Sequence, residues 1–280
     1  MRDWIDTQQM SSTLLAQGIY RLCQSAKVPP TNVRDTDPGN YLVSNATTPL
    51  YIGEGGSLAL RTKVQFDERR STFYKNYLRS NPEIALPISG FDLRIMKTFI
   101  GRKEIEDFGI VHLSTALNRF QLGKREPSAQ ATEHARWDEL QEGATELVKL
   151  GAAICLEQQF QRWEDGTSQS TAGLYLIRNA DDEIIYVGES SDIYSRFQTH
   201  GSTTYFSAVR RNLGCDILGY TLQTRNGKKR YFDDHEDRAV TAYLECCSIA
   251  FFPVSLGRYE VEEHLIRKLR PLLNRKSKDA

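Results

Sequence analysis

The sequence predicts an α/β protein with two similar domains, each a small central antiparallel sheet flanked by helices. Three observations support this fold class: short apolar segments paired across polar turns, helical periodicity around them, and one series of residues that occurs twice. With 280 residues, the chain is long enough for two domains that each bury a core.

The strongest hairpin pattern covers residues 173–188. Two short apolar segments flank a polar Asn-Ala-Asp-Asp-Glu turn, which places Tyr175 and Tyr186 on neighbouring strands. Ser190-Ser191-Asp192 then provides capping side chains for a helix that carries Arg196 and, one turn later, His200. Polar side chains from two strands and one helix are therefore expected to lie close together.

A second helix is predicted to begin after Gly257 and to carry Glu262, and Asn274 follows twelve residues later. This order resembles the GIY-YIG nuclease family: a Gly-x-Tyr strand, a Tyr-x-Gly strand, an arginine ten residues on, a helical glutamate and an asparagine. The final Pro-x-x-Asn is similar to the nuclease domain of excision-repair enzymes. The resemblance implies an endonuclease that hydrolyses phosphodiester bonds, with one Mg²⁺ or Mn²⁺ per active site.

The same series occurs earlier in the chain, beginning at Gly39. The two tyrosines are ten residues apart rather than eleven, the turn again contains Asn-Ala, and glutamate and asparagine are again twelve residues apart. The corresponding residues are Tyr41, Tyr51, Arg61, Glu106 and Asn118. The sequence therefore predicts an internal duplication. Gly18-Ile19-Tyr20 matches the family name literally, but it lies in a helical pattern and is interpreted as unrelated.

Four segments follow from these patterns: an N-terminal helical segment (1–36), a first GIY-YIG-like domain (37–121), a helical linker (122–170) and a second GIY-YIG domain (171–280). The linker opens with a break at 124–128 and then shows apolar residues at helical spacing, interrupted by Gly143 and Gly151. Two interpretations stay open for it: it fixes the two copies relative to each other, or it is merely docked.

Each predicted site residue has a chemical role to fill in phosphodiester hydrolysis. A single carboxylate, Glu262 or its counterpart Glu106, suits one Mg²⁺ ion that keeps most of its waters. Arg196 offers a planar fork of donors to the scissile phosphate, and Asn274 is suited to orient Glu262 or a metal-bound water. The resemblance assigns the tyrosines to activation of the attacking water.

The resemblance also gives His200 a role, because some restriction enzymes of the family use a histidine four residues after the arginine to assist the nucleophile. In the first copy this position is Gln65, so that role does not extend there. Glu54 and Glu189 are expected to be solvated turn residues. A restriction or other defence nuclease is the favoured context, ahead of repair.

Net charge excludes a global positive field, since 36 basic residues balance 36 acidic ones. Local basic clusters instead predict the nucleic-acid contacts, with duplex DNA as the favoured partner and RNA or branched DNA as alternatives. The residues concerned are Arg210, Arg211, Lys228, Lys229, Arg230, Arg267, Lys268 and Arg270.

Other classes of protein receive no support. No apolar run approaches the roughly 20 residues of a membrane span, and the N-terminus lacks a signal-peptide pattern, so a cytoplasmic protein is expected. The five cysteines show no zinc-ligand spacing. The competing function is a nucleic-acid-binding or partner-docking protein in which one or both copies are inactive.

The duplication carries one further expectation. Two complete sites would let a monomer cut both DNA strands, whereas a single site per chain would require a homodimer. On this hypothesis, removal of Glu106 would convert a double-strand cutter into a nickase.

Overall fold

A computed structural model describes residues 3–83, 85–118 and 135–275. The chain divides into two compact units, Met1–Val148 and Lys149–Ala280. The predicted break at 124–128 lies outside the described residues. Within them, no helix combines the length and the apolar character that crossing a bilayer requires.

The first unit contains a three-stranded antiparallel sheet and surrounding helices. In chain order its elements are α1 (Trp4–Gln9), α2 (Ser11–Gln24), β1 (Gly39–Asn45), β2 (Thr48–Gly55), α3 (Leu58–Gln65), α4 (Thr72–Ser80), β3 (Asp92–Lys97), α5 (Arg102–His112) and α6 (Ala135–Glu142). The sheet order is β2-β1-β3, so the Gly-x-Tyr strand is central. Gly18-Ile19-Tyr20 lies inside α2, as its helical pattern predicts. Helix α7 (Ala144–Leu156) follows, and Gly143 separates it from α6.

The second unit repeats this strand order and adds one edge strand and one hairpin. Its elements are β4 (Gln161–Arg162), β5 (Gly173–Arg178), β6 (Ile184–Ser190), α8 (Ile193–Ser202), α9 (Ala208–Asp216), β7 (Gln223–Arg225), β8 (Lys228–Tyr231), α10 (Asp234–Glu245), β9 (Ser248–Pro253) and α11 (Arg258–Leu269). The main sheet has the order β4-β9-β5-β6, and β7 pairs only with β8. The mixed α/β architecture with small antiparallel sheets confirms the predicted fold class.

The glycines of the motif are required because other atoms occupy the space of a side chain. A Cβ at Gly173 would lie 2.2 Å from the carbonyl oxygen of Phe252 on the neighbouring strand. A Cβ at Gly188 would lie 2.4 Å from the Tyr175 ring, which covers this glycine across the β5–β6 pair. Any side chain there would overlap existing atoms, since packed carbon atoms stay about 3.5–4.0 Å apart.

The first unit shows the same two close approaches. A Cβ at Gly39 would lie 2.2 Å from the carbonyl oxygen of Met96, and one at Gly53 would lie 2.2 Å from the hydroxyl of Tyr41. The Gly-x-Tyr and Tyr-x-Gly patterns thus describe one packing arrangement: a tyrosine on the central strand that lies flat against a glycine on the next strand.

Candidate active site

In the second unit, three buried polar side chains form a hydrogen-bonded line: Tyr175, His200 and Ser207. The hydroxyl oxygen of Tyr175 lies 2.8 Å from Nε2 of His200, and Nδ1 of His200 lies 2.7 Å from the hydroxyl oxygen of Ser207. Ser207 also caps α9 by accepting a hydrogen bond from the backbone amide of Arg210. Both ring nitrogens of His200 are therefore used, which fixes the ring in place.

Burial decides the protonation state of His200, the central residue of this line. His200 is fully buried, and burial together with the charges of Arg196, Arg210 and Arg211 holds its pKa well below the ordinary range. The imidazole is neutral at pH 7, donating through one nitrogen and accepting through the other. Such a ring orients Tyr175 well but is a weak proton acceptor.

Tyr186 lies between this buried line and the surface. Its ring stacks on that of Tyr175 with the centroids 6.0 Å apart. Burial raises the pKa of both tyrosines; for Tyr186 the charge of Glu262 adds to the rise, whereas Arg196 offsets part of it. Both phenols therefore carry their protons at neutral pH.

Arg196 lies on the half-buried face of α8. It donates one hydrogen bond from Nη1 to the carbonyl oxygen of Phe206 at 3.2 Å. This contact holds the guanidinium beside the two tyrosines, whose pKa values respond to its charge. The phosphate-binding role that the sequence suggested for this arginine stays a prediction.

Glu262 lies partly exposed on α11 and contacts the end of strand β6. Its Oε1 accepts a hydrogen bond from the backbone amide of Glu189 at 3.2 Å. The side chain of Glu189 in turn accepts one from Nε of the buried Arg258 at 2.8 Å. This pair corrects the expectation that Glu189 is only a solvated turn residue: it joins β6 to the helix that carries Glu262.

Asn274 fills a different position from the one expected. Its Oδ1 accepts a hydrogen bond from the Val187 amide at 2.9 Å, and its Nδ2 donates one to the Val187 carbonyl at 2.7 Å. Because β6 is an edge strand, the amide side chain acts like one residue of a further strand. The two bonds position Tyr186 and Gly188 on either side of Val187, which corrects the expected role of orienting Glu262 or a metal-bound water.

The first unit brings together the corresponding residues. The rings of Tyr41 and Tyr51 stack with the centroids 6.2 Å apart. Burial raises the pKa of both tyrosines, and the charge of Arg61 offsets part of that rise. Asn118 accepts from the Ile52 amide at 3.0 Å and donates to the Ile52 carbonyl at 2.8 Å. These contacts match those of Asn274 in the second unit.

Two substitutions nevertheless change the chemistry of the first unit. Gln65 replaces the histidine, and no hydrogen bond joins it to the Tyr41 hydroxyl. Lys103 donates a 2.6 Å ion-paired hydrogen bond to Oε2 of Glu106. Burial raises the pKa of Glu106, and Lys103 offsets part of that rise. With 5 % of its surface exposed, Glu106 is poorly placed to take a second cation from solution, contrary to its expected role as a metal ligand.

The structure separates the predicted nucleic-acid contacts into exposed and buried residues. Arg210 has 1 % of its surface exposed and donates to Thr204, to Thr241 and to the His200 and Asp237 carbonyls. This corrects its assignment as a phosphate contact, because its donors already hold α8, α9 and α10 together. Arg211 is half-buried. The remaining predicted contacts are exposed: Lys228, Lys229, Arg230, Arg267, Lys268 and Arg270.

Sequence reasoning missed three residues of the site: Arg258, Ser207 and Lys103. A Gly-Arg pair begins the glutamate helix in both copies, and this repetition indicated Arg258 and its counterpart Arg102, whose Nη1 lies 3.9 Å from Glu54. No local pattern distinguishes Ser207, because its contact with His200 depends on how α9 packs. Lys103 was visible as the residue three before Glu106, a spacing that allows an ion pair on a helix.

Comparison with known proteins gives one match. Residues 171–277 match the family model described as the GIY-YIG catalytic domain. A search of curated proteins and a search of solved structures gave no match. The matched residues contain the whole arrangement of Tyr175, Tyr186, Arg196, His200 and Glu262.

Proposed function

We propose that the second unit is an endonuclease site that hydrolyses phosphodiester bonds of DNA. The observation that carries this proposal is the convergence of Tyr186, Arg196 and Glu262 from a strand and two helices onto one partly exposed position. A nuclease needs charge stabilisation on the phosphate and a group that handles the proton of the attacking water, and these three side chains supply both. The family match at 171–277 supports the same reaction class.

Arg196 is the residue that we assign to the scissile phosphate. One of its nitrogens is held by the Phe206 carbonyl, so the guanidinium is oriented before substrate arrives. A preoriented planar donor costs little reorganisation when negative charge develops on the phosphate oxygens. This arginine therefore contributes mainly to transition-state stabilisation.

Of the two tyrosines, Tyr186 is the nearer to the surface, with 9 % of its surface exposed against 1 % for Tyr175. Its pKa is raised first by burial and then by the Glu262 carboxylate, so neutralisation of that carboxylate removes the second effect. Tyr175 lies behind it and is oriented by His200. We assign water activation to Tyr186, and we assign Tyr175 and His200 to positioning it.

Glu262 is the residue that we propose to hold a divalent cation. Among the described residues, no three Asp, Glu, His or Cys side chains cluster as a metal site. A partly exposed carboxylate fits Mg²⁺ or Mn²⁺, which keep several waters and bind substrate phosphate. When bound, the ion would stabilise phosphate charge and lower the pKa of its water.

We also propose that the first unit is a second copy of the same fold whose site does not cut. Support comes from the shared strand order, the shared glycine contacts and the shared asparagine bonds. The Lys103–Glu106 ion pair supplies a positive charge where the second unit would bind a metal ion. This favours one cutting site per chain over tandem cutting, so cleavage of both strands would require two chains or two successive events.

A restriction or other defence role is the biological context that we propose, and the position of His200 supports it. The alternative is a nucleic-acid-binding or partner-docking protein without cleavage in either unit. It is favoured by the neutral net charge and by the ion pair at Glu106.

Plasmid cleavage tests the proposal. We expect wild-type protein to cut supercoiled DNA with Mg²⁺ and not with EDTA. Glu262→Gln should lower the rate at least a hundredfold, roughly the effect of removing one charge-stabilising group, while DNA binding in EDTA is retained. Glu263→Gln on the same helix is the matched control and should cut at the wild-type rate. Equal cleavage by Glu262→Gln and wild type would refute the site, and binding without any cleavage would favour the alternative.

A further inference from the structure

The loop between α8 and α9 presents an aromatic side chain to solvent beside the proposed cutting site. Phe206 has 63 % of its surface exposed. Tyr205 packs against it edge to face, with the ring centroids 4.5 Å apart. An apolar ring exposed to this extent next to a site for a charged substrate is available for a ligand with a flat aromatic surface.

The backbone of this loop is held by arginines of the two flanking helices. Nη1 of Arg211 donates to the carbonyl oxygens of Thr204 and Tyr205 at 2.9 and 2.7 Å. Arg196 donates to the carbonyl oxygen of Phe206 itself at 3.2 Å. The exposed ring therefore belongs to the residue whose backbone carbonyl also orients the phosphate-binding arginine.

The basic hairpin β7–β8 lies against the same loop. Lys228 Nζ and Arg230 Cζ are 5.7 and 5.6 Å from the Tyr205 ring centroid, and the Tyr231 ring is 5.2 Å from that of Tyr205. The turn is well defined, because Asn226 and Gly227 both have positive φ, as a tight hairpin requires. The hairpin thus places the exposed cations of Lys228 and Arg230 beside the Tyr205 ring of the aromatic loop.

Positive charge is concentrated between the loop and the catalytic arginine. Burial lowers the pKa of Arg211, and the charges of Arg230 and Arg196 lower it further. Because these guanidinium groups repel one another, binding of a polyanion between them relieves the repulsion and is favourable. A phosphate backbone fits this charge, and the exposed ring beside it fits a base.

The first unit lacks this combination in its described residues. In the equivalent loop, 66–71, two acidic residues are followed by two basic ones, Asp67-Glu68-Arg69-Arg70, and the ring of Phe66 packs on Phe73 with the centroids 5.4 Å apart. No basic hairpin follows α4 among the described residues. The aromatic loop and the hairpin are therefore features of the unit to which we assign cutting.

We infer that Phe206 stacks on an unstacked nucleobase adjacent to the scissile phosphate, while Lys228, Lys229 and Arg230 hold the flanking phosphates. This inference rests on the proposed function of the second unit. Stacking of a base on an aromatic side chain contributes about tenfold to a hundredfold in affinity and tolerates any base. The contact would select DNA that exposes a base near the cut, and it would not read a sequence.

The test is DNA binding in EDTA, where nothing is cut, with 2-aminopurine placed in turn at each position near the mapped cleavage point. We expect wild type and Phe206→Trp to change the fluorescence at one position next to the cut. Phe206→Ala should abolish that change and weaken binding about tenfold. Phe99→Ala, which removes an exposed ring from the first unit, should behave as wild type.

Each outcome decides the inference. Unchanged affinity and fluorescence for Phe206→Ala would overturn it, as would equal loss for Phe206→Trp and Phe206→Ala. If wild type cuts plasmid but Phe206→Ala binds normally, only the stacking contact is wrong. If wild type neither binds nor cuts DNA, the proposed function fails and the inference fails with it.

Discussion

His200 and Gln65 show how one buried side chain separates the two units. Both positions lie at the same place on corresponding helices and both are fully buried. In the second unit His200 contacts the Tyr175 hydroxyl, whereas in the first unit no hydrogen bond joins Gln65 to the Tyr41 hydroxyl. Sequence spacing predicted where His200 lies along the helix, but only packing determines that it is buried, neutral and behind the tyrosine.

The lowered pKa of His200 predicts acid sensitivity. Unfolded chains protonate histidine below about pH 6.5, whereas folded His200 stays neutral. The titration of His200 therefore leaves stability unchanged above about pH 6.5 and lowers it as the pH falls below that value. His200→Gln removes this effect. Between about pH 6.5 and 5, we expect the unfolding free energy of wild type to fall more steeply than that of His200→Gln. The difference in slope should be up to ~1.4 kcal/mol per pH unit.

Urea denaturation across this pH range provides the measurement. His235→Gln, at an exposed position on α10, is the control and should keep the wild-type pH dependence. Identical slopes for wild type and His200→Gln would show that His200 takes up its proton in the folded protein.

At the scale of elements, each sheet has an edge strand that an asparagine completes. Strands β2 and β6 both form the edge next to the central strand, and both carry the Tyr-x-Gly pattern. Asn118 and Asn274 pair with the backbone of the residue between that tyrosine and glycine. In the second unit, the asparagine of the Pro-x-x-Asn pattern therefore completes the edge of the sheet.

Removal of this amide should destabilise the fold more than it impairs the chemistry. Asn274→Ala leaves both buried Val187 backbone groups without their partner, which we expect to cost about 2–4 kcal/mol of unfolding free energy. Cleavage measured below the melting temperature should fall far less than for Glu262→Gln. Chemical denaturation and plasmid cleavage give the two readouts.

Asn118→Ala is the parallel variant in the first unit and should destabilise it by a similar amount. Asn32→Ala, at an exposed turn, should change the stability by less than about 0.5 kcal/mol. A cleavage loss for Asn274→Ala as large as that for Glu262→Gln, without loss of stability, would return Asn274 to the catalytic residues.

Across the whole chain, the two units have the same strand order but differ in charge and access at the helical glutamate. Glu262 is partly exposed, whereas Glu106 is buried and paired with Lys103. The second unit alone combines the basic hairpin with the aromatic loop in the described residues. A chain that cuts with one unit and keeps the other as a scaffold or as a second DNA contact accounts for these differences.

The proposal of one cutting unit per chain predicts that Glu106→Gln leaves plasmid cleavage unchanged. Because Glu106 already has an ammonium partner, we expect the variant to consume supercoiled plasmid within about twofold of the wild-type rate and with the same ratio of open-circle to linear product. Accumulation of open circle by Glu106→Gln would mean that the first unit cuts one strand, as tandem cutting requires. A circular dichroism melt verifies that the variant is folded, since breaking a buried ion pair costs stability.

The hairpins, the glutamate helices and the repetition of the series were predictable from the sequence, because turn residues, alternation and spacing are local properties of the chain. The same patterns grouped Tyr175, Tyr186, Arg196 and Glu262. The burial of His200 and Arg210, the bonds of Asn274 to an edge strand and the pairing of Lys103 with Glu106 became visible in the folded chain alone. Burial and pairing depend on segments distant in sequence, since a side chain's solvation is set by whatever packs on it after folding.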